Sequence, residues 1–115
     1  MRRPERLAEA LKEEIAEVVG FELDDPRLGL ITVTDVEVTS DLRDAKVFVL
    51  VRGTEEEINV AFAALEKASG YIRRQVALDL DLRHTPHLHF TRDTAEENAA
   101  RIGELLEAIK PADDV

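Results

Sequence analysis

Three histidines near the middle of the second half of the chain are the first residues whose types and spacing suggest chemistry. His84 is followed by His87 and His89, which are two residues apart. Residues two apart in a strand point to one face, so His87 and His89 would share a face on which a metal ion could bind. That strand contains no carboxylate and no cysteine, and the alternation with Leu88 and Phe90 already explains the histidines as its polar side. We therefore predict no metal site.

Two carboxylate pairs are the next candidates for chemistry. Asp24 and Asp25 form one pair, Asp79 and Asp81 the other, and paired carboxylates can serve as general acid and base. Both pairs lie at predicted element boundaries, where aspartate is common in turns and caps. The sequence also contains no dinucleotide-binding, phosphate-loop, nucleophile-elbow or zinc-protease motif. We predict no catalytic residue and no cofactor, and a small hydrolase remains only a third hypothesis.

The cationic residues are distributed unevenly. The chain has 15 Lys and Arg against 25 Asp and Glu, a formal net charge of −10. Taken alone, that charge argues against nucleic-acid binding, which draws on clustered cations. Two windows, 67–77 and 82–92, nevertheless contain no acidic residue. Their cations include Lys67, Arg73, Arg74, Arg83 and His84.

The composition is that of one small domain. Of 115 residues, 44% are hydrophobic and 35% are charged, which suits a single modest core. The absence of cysteine excludes disulfides and thiolate metal sites. The longest apolar run, 47–51, is far shorter than the ~20 residues of a membrane-spanning helix. We expect one cytoplasmic, monomeric domain over residues 1–110, no membrane partner, and a short acidic tail at 111–115.

Hydrophobic periodicity arranges these residues on an α+β fold. The predicted order is a helix over 6–19, strands over 30–39 and 45–52, a helix over 54–78, a strand over 87–91 and a helix over 94–109. A strand, a helix and a further strand imply a right-handed crossover and parallel pairing. The sheet is therefore predicted to be three-stranded and mixed, with helices on one face. Thr54 with Glu57, and Thr94 with Glu97, have the spacing of a helix-starting capping box.

A break is predicted in the second of these helices, at Ala68–Gly70. Glycine in a helix interior costs about 1 kcal/mol relative to alanine, which favours a kink there. Free N–H groups at the start of the second half could then meet a phosphate. Arg73 and Arg74 would lie in its first turn, where cations oppose the helix dipole unless a polyanion is bound. Ordinary solvated arginines on a helix are the alternative.

Several short strings, in this order and spacing, together resemble one known family. They are Asp25-Pro26-Arg27, Val33-Thr34-Asp35-Val36, Ser40-Asp41-Leu42, Ala68-Ser69-Gly70-Tyr71-Ile72-Arg73 and residues 82–90. The family is that of ribosome-binding factor A, the bacterial small-subunit maturation factor, and the similarity covers about residues 2–109. It implies a KH-like fold of the second type, helix–strand–strand–kinked helix–strand–helix, in which an Ala-x-Gly kink replaces the usual GxxG loop. Ala68, Ser69 and Gly70 match that kink.

The resemblance also implies a function. It implies a non-enzymatic assembly factor that binds the free small ribosomal subunit and its ribosomal RNA, assists late maturation and rRNA processing, and contributes to cold adaptation. On a chain this acidic, the RNA contacts must come from a local patch. The predicted RNA-binding residues are Lys67, Ser69, Gly70, Arg73, Arg74, Arg83 and His84, followed by Arg2, Arg3, Arg43 and Lys46. An acidic protein–protein adaptor domain is the alternative function.

Overall fold

Two helices and three strands form the framework in a computed structural model of the protein, which describes residues 3–22, 26–28 and 31–93. Their bounds are Arg3–Glu17 for α1, Ile31–Val38 for β1, Asp44–Val51 for β2, Glu55–Asp79 for α2 and His87–Arg92 for β3. Beyond α1, the chain continues past the predicted stop at Gly20 as a π-helical turn, Val18–Glu22. The last helix and the acidic tail predicted from the sequence lie outside the described residues, as does Arg2.

The three strands form one mixed sheet in the order β1-β2-β3. β2 pairs antiparallel with β1 and parallel with β3. The parallel pair follows from the crossover through α2, since two parallel strands need a long connection. The predicted α+β class and the three-stranded mixed sheet are confirmed, and β2 is the interior strand.

A β-bulge in β1 changes which residues face the core. The pairing of β1 with β2 shifts register between Val33 and Asp35. Before the shift, Ile31 and Val33 pack against the core, and after it Val36 and Val38 do so. A bulge adds one residue to one strand, so it lets two apolar pairs that are out of phase face the same side. The alternation of core-facing and outward-facing residues in β1 is therefore interrupted at the bulge.

The core lies between the helices and one face of the sheet. Ala45, Val47, Val49 and Val51 of β2 alternate into it and are buried. The helical residues buried against them are Leu11, Ile15, Ile58, Ala61, Ala64, Leu65, Ile72 and Val76. On the opposite face of β2, the Lys46 ammonium lies 5.1 Å from the centroid of the Phe48 ring.

The predicted break in α2 is wrong, because α2 runs without interruption from Glu55 to Asp79. Ile72 and Val76, beyond the glycine, are fully buried in the same core as the first half of the helix. Burying each such side chain stabilises the fold by roughly 1.5–3 kcal/mol, which exceeds the roughly 1 kcal/mol that Gly70 costs. The Ser69 hydroxyl donates back to the Glu66 carbonyl at 2.8 Å, so it is satisfied within the helix.

Both ends of α2 carry defined caps. At the start, the Glu57 N–H donates to Thr54 Oγ1 at 3.2 Å, and the Thr54 N–H donates to Glu57 Oε1 at 3.1 Å, as the capping-box spacing predicts. At the end, the Leu82 N–H donates to the Ala77 carbonyl at 2.9 Å, and Asp81 has a φ of 52°. This pattern is a Schellman motif with aspartate in the position that glycine usually takes.

Candidate nucleic-acid interface

A groove of about 820 Å³ lies at the end of the sheet where β2 and β3 begin. Its walls come from four segments: the start of α1, the β1–β2 turn, the second half of α2, and the loop before β3. We call it the arginine groove, lined by Arg3, Arg6, Leu7, Asp41, Leu42, Arg43, Arg73, Leu82, Arg83, His84, Thr85 and His87.

The charge of the arginine groove is opposite to that of the chain. Five arginines and two histidines line it, and Asp41 supplies the only carboxylate among its described residues. Arg3, Arg6, Arg43 and Arg83 are all exposed. Guanidinium groups present planar pairs of donors that match phosphate oxygens. Basic residues that are far apart in this acidic sequence therefore lie together on a surface suited to an anion.

The β1–β2 turn forms one wall and is held by the carboxylate of Asp41. Asp41 Oδ1 accepts hydrogen bonds from the Thr39 hydroxyl at 2.6 Å and from the Arg43 N–H at 3.1 Å. These two bonds, with the nearby Arg43 charge, hold the pKa of Asp41 below its ordinary value. Leu42 completes the turn with a φ of 63°.

The loop over residues 80–86 forms the opposite wall, and we call it the α2–β3 loop. It leaves α2 through the Schellman motif and exposes Arg83 and His84 before the fully buried Pro86. At its far end the His87 N–H donates to the Arg43 carbonyl at 2.9 Å. The two walls are thus joined by a backbone hydrogen bond, which fixes their separation at that point.

Arg73 spans from α2 to the α2–β3 loop. Its Nε and Nη2 atoms both donate to the Thr85 carbonyl, at 3.3 and 2.7 Å. Unlike its exposed neighbour Arg74, Arg73 is only half exposed. Because α2 is continuous, Arg73 and Arg74 lie in its interior, and the prediction that they lie in the first turn of a helix is wrong. Arg73 also has a hydrogen-bond partner within the fold, the Thr85 carbonyl.

A smaller groove of about 440 Å³ adjoins the first and shares Arg73, Arg83, His84 and Thr85 with it. We call it the second groove. Its other wall is Gly70, Arg74 and Ala77, which lie on one face of α2. Among the described residues, a Cβ atom added at Gly70 would meet only Arg74 Nη1, at 4.0 Å. Within a continuous helix the N–H groups of Ser69 and Gly70 bond to the preceding turn and are not free donors, so RNA contact at these two residues stays a prediction.

The structure brings together most of the cations predicted from the sequence. Arg3, Arg43, Arg73, Arg83 and His84 line the arginine groove, and Gly70 and Arg74 line the second groove. Lys67 and Ser69 lie on α2 outside both linings, and Lys46 lies over Phe48 on the opposite face of the sheet. Ala68 packs partly buried against the core.

Two basic residues of the groove, Arg6 and His87, were not among the predicted RNA-binding residues. Arg6 follows Arg3 by one helical turn, a spacing that places both on one face of α1 and would have identified it. His87 was considered only as part of a metal pair with His89. In the structure the two histidines separate, because His89 Nε2 lies 2.8 Å from Asp44 Oδ1 whereas His87 lines the groove. Within residues 3–22, 26–28 and 31–93, no group of three or more metal-ligating side chains occurs.

The fold and the groove define a class of protein, a small α+β domain that presents an arginine-lined surface at one end of a three-stranded sheet. The chain matches the profile of the family described as "Ribosome-binding factor A" over residues 3–106. It belongs to the ribosome-binding factor A family. None of the described helices is long and apolar enough to span a membrane.

Individual relatives agree with this assignment. The chain is 49% identical to ribosome-binding factor A of Thermomicrobium roseum, over 94% of this chain and 84% of that protein. It is 46% identical to that of Halothermothrix orenii, over 97% and 92%. The crystal structure of ribosome-binding factor A from Thermus thermophilus superposes with a TM-score of 0.70 at 31% identity, covering 79% of this chain and 97% of that one. A homology model of the Thermus thermophilus factor, fitted into the cryo-EM map of a 30S–RbfA complex, is similar with a TM-score of 0.61 at 32% identity, over 73% and 88%.

Proposed function

We propose that this protein is a non-enzymatic assembly factor that binds the free small ribosomal subunit through its ribosomal RNA. The observation that carries the proposal is the arginine groove, in which a chain of net charge −10 gathers five arginines from four separate segments. Solvation alone gives no reason for five arginines to lie close together, since isolated arginines are solvated equally well. Binding to the phosphate backbone of RNA does give a reason, because a polyanion offsets the repulsion between them. The likeness to a factor fitted into a 30S complex supports the same kind of partner.

The groove suits contacts with phosphates more than the reading of a base sequence. Arg3, Arg6, Arg43 and Arg83 are the proposed phosphate contacts, and Arg74 extends them into the second groove. Phosphate contacts fix the register and orientation of a protein on RNA without carrying sequence information. The factor therefore selects its site by the shape of the subunit surface rather than by a short motif.

The proposed role is the one that the resemblance to the family implies, and it requires binding without catalysis. By occupying an immature subunit in the cytoplasm as a monomer, the protein assists late maturation and processing of the ends of the ribosomal RNA, above all during growth in the cold. A strain that lacks the protein should accumulate unprocessed small-subunit rRNA at low temperature. A groove variant should fail to rescue that strain although it is present at the normal level.

Co-sedimentation with free small subunits in a sucrose gradient tests the proposal. The protein should migrate with the subunits at low salt and leave them at high salt, because displacement of counterions drives phosphate binding. The double variant Arg43→Ala/Arg83→Ala should stay at the top of the gradient. Arg52→Ala is the matched control, since Arg52 is exposed and lies past the far end of β2, roughly 25 Å from the groove end of that strand.

The adaptor alternative predicts a different gradient. A protein–protein adaptor ignores ribosomal particles at every salt concentration. Failure of the unaltered protein to migrate with free subunits, in a preparation where its fold is intact by circular dichroism, would reject the assembly-factor proposal.

A further inference from the structure

Arg73 differs from the other arginines of the groove in how its guanidinium is used. Two of its donors, Nε and Nη2, converge on one acceptor, the Thr85 carbonyl, at 3.3 and 2.7 Å. A planar guanidinium held through two donors is fixed in orientation, whereas a solvated one samples many rotamers. Arg73 is also partly buried, while Arg74, Arg83 and Arg43 are exposed.

The carbonyl that Arg73 binds belongs to a segment with little other support. Within the described part of the chain, residues 83–86 take part in no backbone–backbone hydrogen bond. The nearest such bonds lie at the two ends of the α2–β3 loop, from the Leu82 N–H to Ala77 and from the His87 N–H to Arg43. Between those ends, the loop is held by the buried Pro86 ring and by the bond between Arg73 and Thr85.

The same segment carries two of the exposed groups that both grooves share. Arg83 and His84 directly precede Thr85 and line the arginine groove and the second groove alike. A shift of the Thr85 carbonyl by a fraction of its hydrogen-bond length would move both side chains together. The position of the loop therefore controls whether those two groups and the arginines of α1 face one ligand.

We propose that Arg73 is a positioning residue, which holds the α2–β3 loop so that Arg83 and His84 can contact RNA, and is not itself a phosphate contact equivalent to Arg74. This inference rests on the proposed function of the groove. It assigns different roles to two adjacent arginines that the sequence treats alike.

A double-mutant cycle on binding to free small subunits separates the two roles. Arg73→Ala should weaken binding about tenfold, the effect of losing a hydrogen bond from a charged donor. In the Arg83→Ala background the same change should have an effect of less than about threefold, because only the His84 contact is left for the loop to place. Arg74→Ala serves as the control, and its effect should be the same with and without Arg83.

Hydrogen exchange of the free protein gives the second measurement. Arg73→Ala should speed exchange of the His87 amide about tenfold or more while amides of β2 keep their protection, which shows that the variant is folded. Arg74→Ala should leave the His87 amide unchanged. Arg73→Lys keeps the charge but lacks the paired donors of the guanidinium. If it exposes the His87 amide to exchange, it should also weaken binding to subunits, although the charge is unchanged.

Two results would overturn the inference. One is a full effect of Arg73→Ala in the Arg83→Ala background; the other is normal binding by Arg73→Lys while the His87 amide exchanges as fast as in Arg73→Ala. Either result would make Arg73 a phosphate contact. The proposed function fails separately, by unchanged subunit binding in both Arg74→Ala and Arg83→Ala.

Discussion

At the scale of single residues, Asp41 has two opposing effects on the arginine groove: it orders the turn that forms one wall, and it adds a negative charge. Its carboxylate holds the β1–β2 turn by accepting from the Thr39 hydroxyl and from the Arg43 N–H. The same carboxylate places a negative charge among the guanidinium groups of the arginine groove. An amide oxygen can accept the same two hydrogen bonds without the charge. The two roles can therefore be separated by one substitution.

We predict that Asp41→Asn strengthens binding to small subunits severalfold at low salt. The gain should shrink as salt is raised toward 0.15 M and above, because charges are screened over about 8–10 Å in that range. A filter-binding or anisotropy titration at two salt concentrations measures it. Asp35→Asn, on β1 outside the groove lining, is the control. Weaker binding by Asp41→Asn, with the turn intact by NMR, would contradict this reading.

Asp81 also gives a testable prediction, in this case from its backbone conformation. It occupies the left-handed position of the Schellman motif with a φ of 52°, where a Cβ atom is unfavourable. Its negative charge also lies at the carboxyl end of α2, opposite to what the helix dipole favours.

Asp81→Gly should stabilise the protein by roughly 0.5–1 kcal/mol. Asp81→Ala removes the same charge but keeps a Cβ atom, so it should gain less or lose stability. Chemical denaturation of the three proteins measures the difference in the free energy of unfolding. An equal gain in both variants would assign the effect to charge instead of backbone conformation.

At the scale of elements, α2 shows how burial overrides local preference. Gly70 is exposed, and an added Cβ atom would meet nothing closer than Arg74 Nη1 at 4.0 Å. Nothing among the described residues therefore requires glycine at this position. Under the proposed function, the ligand that would favour glycine here is RNA approaching the surface of α2 beside Arg74.

We predict that Gly70→Ala raises the free energy of unfolding by about 1 kcal/mol, or the melting temperature by roughly 3–6 °C. If RNA approaches the helix there, the added methyl group should also weaken binding to small subunits. Calorimetry and the sucrose gradient measure the two effects on the same preparation. A loss of stability would contradict the continuous helix, because only a kinked backbone needs the glycine.

The sequence reveals elements whose signals are local. The capping box at Thr54 and Glu57 and the strand over 45–52 both depend on residues close in sequence. Both predictions are confirmed, the strand at Asp44–Val51. The bulge in β1 and the continuity of α2 were not predicted, because each depends on what packs against the element. Out-of-phase apolar pairs are visible around Thr34, but only the pairing with β2 shows that a bulge reconciles them.

The sequence predicted some residues of the candidate site and missed others. The acid-free windows identified Arg83, His84 and Arg73, which the structure places in the groove. Arg6 was missed because the prediction relied on windows free of acidic residues, and α1 contains five glutamates. The role of Arg73 also could not be predicted, since its partner Thr85 is 12 residues away across a loop.

At the scale of the whole molecule, the central feature is the separation of charge. Acidic residues give the chain a net charge of −10, while one end of the sheet carries five arginines with a single carboxylate among the described lining. Such a distribution attracts a polyanion at the groove and repels it elsewhere, so we expect the groove to be the face that binds. The central claim is that the four exposed arginines of the groove, Arg3, Arg6, Arg43 and Arg83, contact phosphates.

The salt dependence of binding to free small subunits tests that claim most directly. Arg6→Ala and Arg83→Ala, which change different walls of the arginine groove, should each reduce the slope of log affinity against log salt by roughly 0.7–0.9, and the double variant by about twice that amount. Arg52→Ala, beyond the far end of β2, should leave the slope unchanged. If the double variant binds with the slope of the unaltered protein, or if Arg52→Ala lowers the slope as much as the groove variants do, the arginine groove is not the RNA-binding surface.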